Sequence, residues 1–425
     1  MNKTIRIQPL EPILIRDGRP FGDTPGAAAH STGTIFPSVV AGTLRTLIGK
    51  QVSGPMTTSS IFKTNKMDAI KKSVVRGPLY LLGDRIFFPF PQDLDVYESE
   101  EGAIQVSFRR PRQLTHSGQG FLGTDKEGRY SELLWPVAEA SIRKLWTGKP
   151  AFVSSEWMNQ WLLDELTPVD WERELEKWKE ASRNGNSTSD SHFLASFKRE
   201  VRVHTAIDAK TYAAHDKKLF STEMLILPDG MSLLVELDDQ VMALKELHQP
   251  ISTLHSLGGK RRLAHFSQDV QNDYWRYPDA LQNGKLHSKT LYIRMVLVTP
   301  AYFSRGWLPK WLDENLETDD TFSPHVKLRL CWACIPRSEP VSGWSYKEER
   351  PKAVRRMVPA GSVYFFKVES GNPEALVREL WLKSVSDINR RKVAVDKEDG
   401  FGLAVWGTWT PASSTGEGEK RDEEQ

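Results

Sequence analysis

Residues 5–8 alternate, with Ile5 and Ile7 apolar and Arg6 and Gln8 polar, the period of a strand with one buried face. The segment runs toward Asp17-Gly18-Arg19-Pro20, a turn sequence. After a Gly/Ala/Ser-rich stretch, Pro37 suits the first turn of a helix. Val40, Leu44, Leu47 and Ile48 recur in it at helical spacing, and Gly49 is the expected end. Residues 78–97 predict two short strands about Gly83-Asp84, the second carrying Ile86, Phe88 and Phe90. The polar stretch 98–130, with Arg109, Arg110 and Arg112 among several glycines, reads as a large excursion from the fold.

Helical periodicity then takes over. Thr167 can cap a helix that has Pro168 in its first turn and a stripe of Trp171, Leu175 and Trp178. Residues 184–190 form a polar break. Strand patterns return at 223–227 and 231–237, on either side of Pro228-Asp229-Gly230. The second half follows a similar programme, with strands at 291–297, 326–332, 363–368 and 403–406, and a helix opened by Asn372-Pro373. The irregular alternation of hairpins and helices predicts an α+β architecture rather than a doubly wound sheet.

Composition narrows the classes. The 425 residues are 39% hydrophobic and include 14 Trp and 18 Phe, enough for a substantial core and more than one domain. With 57 basic against 55 acidic residues, a nucleic-acid surface has to be a local cluster. Two cysteines, Cys331 and Cys334, cannot form a disulfide framework, which suits a reducing compartment. In a strand pattern they are expected on opposite faces, as packing residues rather than a zinc or redox pair. The N-terminal segment meets charge too early for a signal peptide or a membrane span, so a cytoplasmic protein is expected.

No Walker-type loop or HExxH is present, and Gly400-x-Gly402 does not complete a dinucleotide fingerprint. Neither a metal nor a cofactor is expected. His30 and His204 lie in polar segments without an evident orienting partner and are the two candidate general bases. Four glycine-and-base segments remain. They contain Arg16 and Arg19; Gly258-Gly259 with Lys260, Arg261 and Arg262; Lys352, Arg355 and Arg356; and Gly400-Phe401-Gly402. Glycine lets backbone N–H groups approach phosphate, the cations supply charge, and an aromatic ring can stack on a base. Each segment alone has a plainer reading as a solvated turn or a bulge with a packing ring.

The order of these segments resembles subunit three of the Cmr complex, a RAMP protein of type III-B CRISPR effectors. The resemblance runs through Ile7-x-Pro9-Leu10-Glu11-Pro12 and Arg16–Phe21, then Phe36–Arg45 with its Arg45. It continues at Thr205–Asp208, Leu219–Glu223, Gly258–Arg262, Val358-Pro359-Ala360-Gly361-Ser362 and Gly400-Phe401-Gly402. It implies two closely packed ferredoxin-like (RRM-type) domains, residues 1–250 with insertions at about 98–130 and 132–192, and residues 251–412. Residues 413–425 are expected to form a disordered tail. It further implies a non-catalytic subunit that holds the 5′ tag of the crRNA, contacts the target RNA duplex, and bridges the large palm-domain subunit to the backbone RAMP subunit. The stretch Arg109–Arg129 would then be the thumb that kinks the guide–target duplex. The competing readings are a metal-independent repeat-RNA endoribonuclease using His30 or His204, and a protein–protein adaptor.

Overall fold

The computed structural model describes residues 3–17, 26–53, 70–71, 73–113, 121–124, 130–135, 137, 143–184, 191–208, 210–238, 250–269, 273–282, 286–287, 289–345, 349–388 and 397–412. Strands are numbered in chain order. The larger sheet has the order β10 (Phe193–Leu194), β9 (Phe152–Ser154), β4 (Arg85–Pro89), β3 (Val75–Leu82), β13 (Met231–Leu237), β1 (Lys3–Pro9), β15 (Leu263–Asp269) and β14 (Ser252–Ser256). The second has the order β17 (Val326–Cys334), β22 (Val363–Gly371), β16 (Tyr292–Leu297), β24 (Leu403–Thr408) and β23 (Lys383–Ser384). Neighbouring strands in both sheets are antiparallel. A third sheet joins β11 (Lys198–Ile207), β12 (Ala214–Ile226) and β2 (Ala27–Ala29). Four ribbons complete the set: β5 (Leu94–Glu98) with β6 (Ile104–Phe108), β7 (Phe121–Thr124) with β8 (Tyr130–Leu134), β18 (Glu339–Val341) with β21 (Arg355–Met357), and β19 (Trp344–Ser345) with β20 (Arg350–Pro351). The protein is thus a mixed α/β structure of mostly antiparallel sheets.

Helix α1 (Pro37–Ser53) lays Val40, Ala41, Leu44 and Ile48 on the larger sheet, against Ile5, Ile7 and Val235. It runs one turn past Gly49, because Gly in a helix costs only about 1 kcal/mol and the buried face upstream outweighs it. Helix α2 (Ser155–Leu162) packs on β4 and β9 near one end of the larger sheet, and α3 (Pro168–Arg183) packs on β6. Trp171 meets Trp157 and Trp161 edge to face, with ring centroids 5.5 Å apart in both pairs. Thr167 caps α3 as expected, and Asp170 closes a reciprocal box with it. A one-turn α4 (Asp279–Gln282) and α5 (Pro373–Leu380), capped by Asn372, complete the helices used below.

Three expectations are corrected. The stretch 98–130 is not simply an excursion. Ile104 and Val106 of β6 are buried, and the Val106 N–H donates to Glu172 of α3 at 3.0 Å. Residue 250 marks no break in the first sheet, because β15 pairs with β1; that sheet ends at Asp269 and the second begins at Tyr292. Cys331 and Cys334 do not face opposite ways: a bulge between Leu330 and Trp332 resets the alternation, and both thiols enter one apolar cluster. Burial pushes Cys331 up to about 12 and raises Cys334 as well, so both behave as packing residues. Residues 413–425 lie outside the described residues, and none of the described helices is long and apolar enough to cross a membrane.

Candidate nucleic-acid interface

The first two glycine-and-base segments converge on β12. Ile13 bridges Leu225, Leu14 bridges Gly259, and Arg16 bridges Ser31, whose hydroxyl donates to the Glu223 carbonyl at 2.5 Å. Gly258, with φ of +74°, packs so closely that a Cβ would stand 2.5 Å from the Leu14 carbonyl oxygen. Glycine is required there by space as well as by conformation. The same turn holds Lys260 and Arg261 at φ of +53° each, and both side chains are exposed. Two successive left-handed residues that are not glycine form a strained turn carrying two cations.

Beside this turn stands the β11–β12 hairpin. Directly opposed residues share a face, so Arg202 and His204 of β11 lie alongside Thr222 and Phe220 of β12. The His204 ring stacks on Phe220 with centroids 5.1 Å apart, and its Nε2 lies 2.9 Å from the Thr222 hydroxyl. The Lys260 ammonium sits 5.0 Å from the centre of the Phe220 ring. Desolvation, followed by the charges of Lys260, Arg262 and Arg202, lowers the His204 pKa and leaves the ring neutral at pH 7. Burial and Arg262 also lower Lys260. Arg262 is tied to the Glu11 carboxylate, which also accepts the Leu263 N–H at 2.9 Å. Arg262 therefore positions the turn, while Lys260 and Arg261 face outward. The opposite face of the ribbon carries Val201, Val203 and Leu219, each more than half exposed, beside the Arg199–Glu223 pair.

The third and fourth segments meet elsewhere, and much of what they contribute is buried. Phe401 is 0% exposed and packs in the same cluster as α1, so it does not offer a ring to a base. Gly400 is there because a Cβ would stand 2.6 Å from the Gly77 carbonyl oxygen, and Gly402 is equally enclosed. Arg45 is buried against Asp399 and donates to the Ser73 carbonyl at 2.8 Å, which fixes α1 to the late loop. Arg355 is buried too, with its guanidinium 5.8 Å from the Phe401 ring. These five residues are corrected from contact residues to packing residues. Lys352 and Arg356 remain exposed on this side. Arg19 lies outside the described residues.

His30 approaches Glu223 at 3.7 Å, and that carboxylate also pairs with Arg199. Arg109 is held by Asp95 at 2.5 Å and Arg110 by Asp164 at 2.5 Å. The start of the expected thumb is therefore part of the packed structure; residues 114–120 and 125–129 lie outside the described residues. Among the described residues, no group of three or more His, Cys, Asp or Glu side chains is placed to hold a metal ion. Arg202 and Phe220 were missed from the sequence. The signal for them was the alternation Lys198, Glu200, Arg202, His204 against Val201 and Val203, which marks a strand with both faces open.

The antiparallel sheets and a cationic ribbon with a stacked ring define a mixed α/β protein whose candidate site is a surface rather than an enclosed cleft. The family model described as CRISPR-associated protein (Cas_Cmr3) matches residues 5–409, and the chain belongs to that family. The match spans the collinear segments from Ile5 to the last strand. A chain in the cryo-EM structure of the Type III-B Cmr-beta bound to cognate target RNA and AMPPnP is 15% identical. It covers 85% of this chain and 86% of its own, with a TM-score of 0.44. A chain of the Csm3-Csm4 subcomplex in the type III-A CRISPR-Cas interference complex is 11% identical, covers 96% and 100%, and has a TM-score of 0.39. No curated protein matches the chain.

Proposed function

We propose that this protein is a non-catalytic subunit of a type III-B CRISPR RNA-guided effector that holds the 5′ repeat-derived tag of the crRNA and bridges the large palm-domain subunit to the backbone. The observation that carries the reading is the surface made by Lys260, Arg261, Arg202 and the His204–Phe220 stack. Its cations suit phosphates and its aromatic pair suits an unstacked base, in a member of a CRISPR-associated family. The exposed Val201, Val203 and Leu219 on the reverse of the same ribbon suit a protein neighbour, as a bridging subunit requires. Two ferredoxin-like domains are also part of this reading. The order β15-β1-β13-β3 in the first sheet and β24-β16-β22-β17 in the second are the same permutation of first, second, third and fourth strands.

The test is a gel with purified protein, chelator and end-labelled guide RNA bearing an intact or a scrambled 5′ tag. Retention of uncut RNA that depends on the tag is expected. Lys260→Ala with Arg261→Ala should weaken it and reduce the salt slope by about 1 to 2, close to one unit for each phosphate that the variant leaves unneutralised. Unchanged retention and slope would remove these residues from the interface. Cleavage in chelator that is lost on His204→Ala or His30→Ala would instead establish the endoribonuclease.

A further inference from the structure

A cavity of about 500 Å³ opens beside β17, at the edge of the second sheet, and the tag-binding reading makes no use of it. Trp307, Trp332, Ile335, Met357 and Val358 give it apolar walls, and Arg356 stands at its side. Its volume is in the range of small-ligand sites, roughly 300 to 1,000 Å³.

Two of these residues are left without the partners their chemistry calls for. Trp307 is 40% exposed, and its indole faces no other ring among the described residues. Its backbone is nevertheless fixed, because the Trp307 carbonyl accepts the buried Tyr364 hydroxyl at 2.6 Å. Arg356 is exposed between the buried Arg355 and Met357, so the alternation of β21 turns its guanidinium outward. Among the described residues it meets no carboxylate within ion-pair distance, although β18 holds its backbone in register opposite Pro340. The Ser338 hydroxyl adds a polar group to the same wall.

An indole plane and an unpaired guanidinium beside one preformed apolar cavity are complementary to a ligand with a flat ring at one end and an anion at the other. We propose that this cavity binds a single nucleotide, its base against the indoles of Trp307 and Trp332 and its phosphate on Arg356. A base can stack on the face of an indole, and the guanidinium can meet a phosphate with two hydrogen bonds. The inference goes beyond the proposed function: it concerns the second sheet, and it holds whether or not the β11–β12 ribbon binds a tag. The nucleotide is either free in solution or one residue of a bound RNA, and the chemistry is shared.

Isothermal titration of the full chain with adenosine 5′-monophosphate, and ultraviolet crosslinking to a short oligoribonucleotide, separate the two sources. Saturable heat with the mononucleotide, weakened about tenfold or more by Arg356→Ala and by Trp307→Ala and kept by Trp307→Phe, assigns a free-nucleotide site. Adenosine without its phosphate should then bind as weakly to the native protein as to Arg356→Ala. Heat absent with the mononucleotide, but a crosslink at the Trp307 peptide that Arg356→Ala abolishes, assigns an RNA residue. Neither signal, or signals indifferent to both substitutions, overturns the proposal. Both side chains are exposed, so the variants should keep the native melting temperature. Binding of an oligoribonucleotide that survives these changes but fails in Lys260→Ala would leave the tag reading standing while this one falls.

Discussion

Lys260 and Arg261 hold left-handed backbone conformations that cost about 1 to 2 kcal/mol each in a residue with a Cβ. Replacing Arg261 by Gly relieves that cost, set against about 0.5 to 1 kcal/mol of added chain entropy in the unfolded state. Arg261→Gly should therefore leave stability unchanged or raise it by up to about 1 kcal/mol, as read by urea midpoint, while RNA retention falls. A loss of stability would mean that the arginine side chain packs rather than binds. A second residue-scale effect belongs to Glu339, whose carboxyl is pushed up to about 7 by desolvation. The folded state then holds this proton more tightly than the unfolded chain, so stability falls as pH rises from about 4.5 to about 7. Glu339→Gln should flatten that slope in urea midpoints taken across the window; an unaltered slope would assign it to other groups.

Local rules account for much of what happens in the elements. Thr167 caps α3 as the sequence around Pro168 predicts, Asp170 completes the box, and Thr167→Ala should cost about 1 kcal/mol, measured by thermal unfolding of the full chain. The strands beginning near residues 231, 291, 326 and 363 were legible from apolar runs or from one-face alternation, because each buries at least one face. The third sheet was not. Only 223–227 gave a strand pattern in a segment that forms β12 from Ala214 to Ile226, and β11 was unread. Its residues are exposed or half-exposed throughout, so the alternation of charged residues with Val201 and Val203 carries no buried apolar run of the kind that marks the other strands. The bulge in β17 was hidden for a related reason, since one extra residue inverts the faces without changing local composition.

At the scale of the whole molecule, a buried arginine ties the second sheet to α2 and to the turn that follows β4 of the first. Arg294 of β16 is fully buried; it meets Asp93 at 3.2 Å and donates to the Trp161 carbonyl, and its guanidinium lies 4.0 Å from the Trp161 ring. Burial lowers its pKa to about 10 despite the Asp93 charge. Removing Asp93 leaves the buried Arg294 only the longer contact to Asp164 at 3.8 Å, so Asp93→Ala should destabilise by about 3 to 5 kcal/mol. Asp93→Leu combined with Arg294→Met should recover most of that loss. A single cooperative transition in the native protein, split in Asp93→Ala, would show the ion pair coupling the halves; a small effect would show that packing alone does so.

Charge, periodicity and turn chemistry are written in neighbouring residues, and they sufficed for a mixed, mostly antiparallel class, most buried elements and the capped helices, while the family rested on the resemblance of ordered segments along the chain. Whether a given cation reaches solvent is decided by partners remote in sequence. Arg45 and Asp399 are 354 residues apart, and nothing in the sequence around Arg45 names the carboxylate that buries it. The fold buries Arg45 in an ion pair and raises Arg261 on a strained turn. It also sets His204 against Phe220 and Lys260, a site made of three segments that no local pattern joins. Desolvation and pairing depend on what packs from elsewhere in the chain, so only the tertiary structure could sort the basic residues into core and surface.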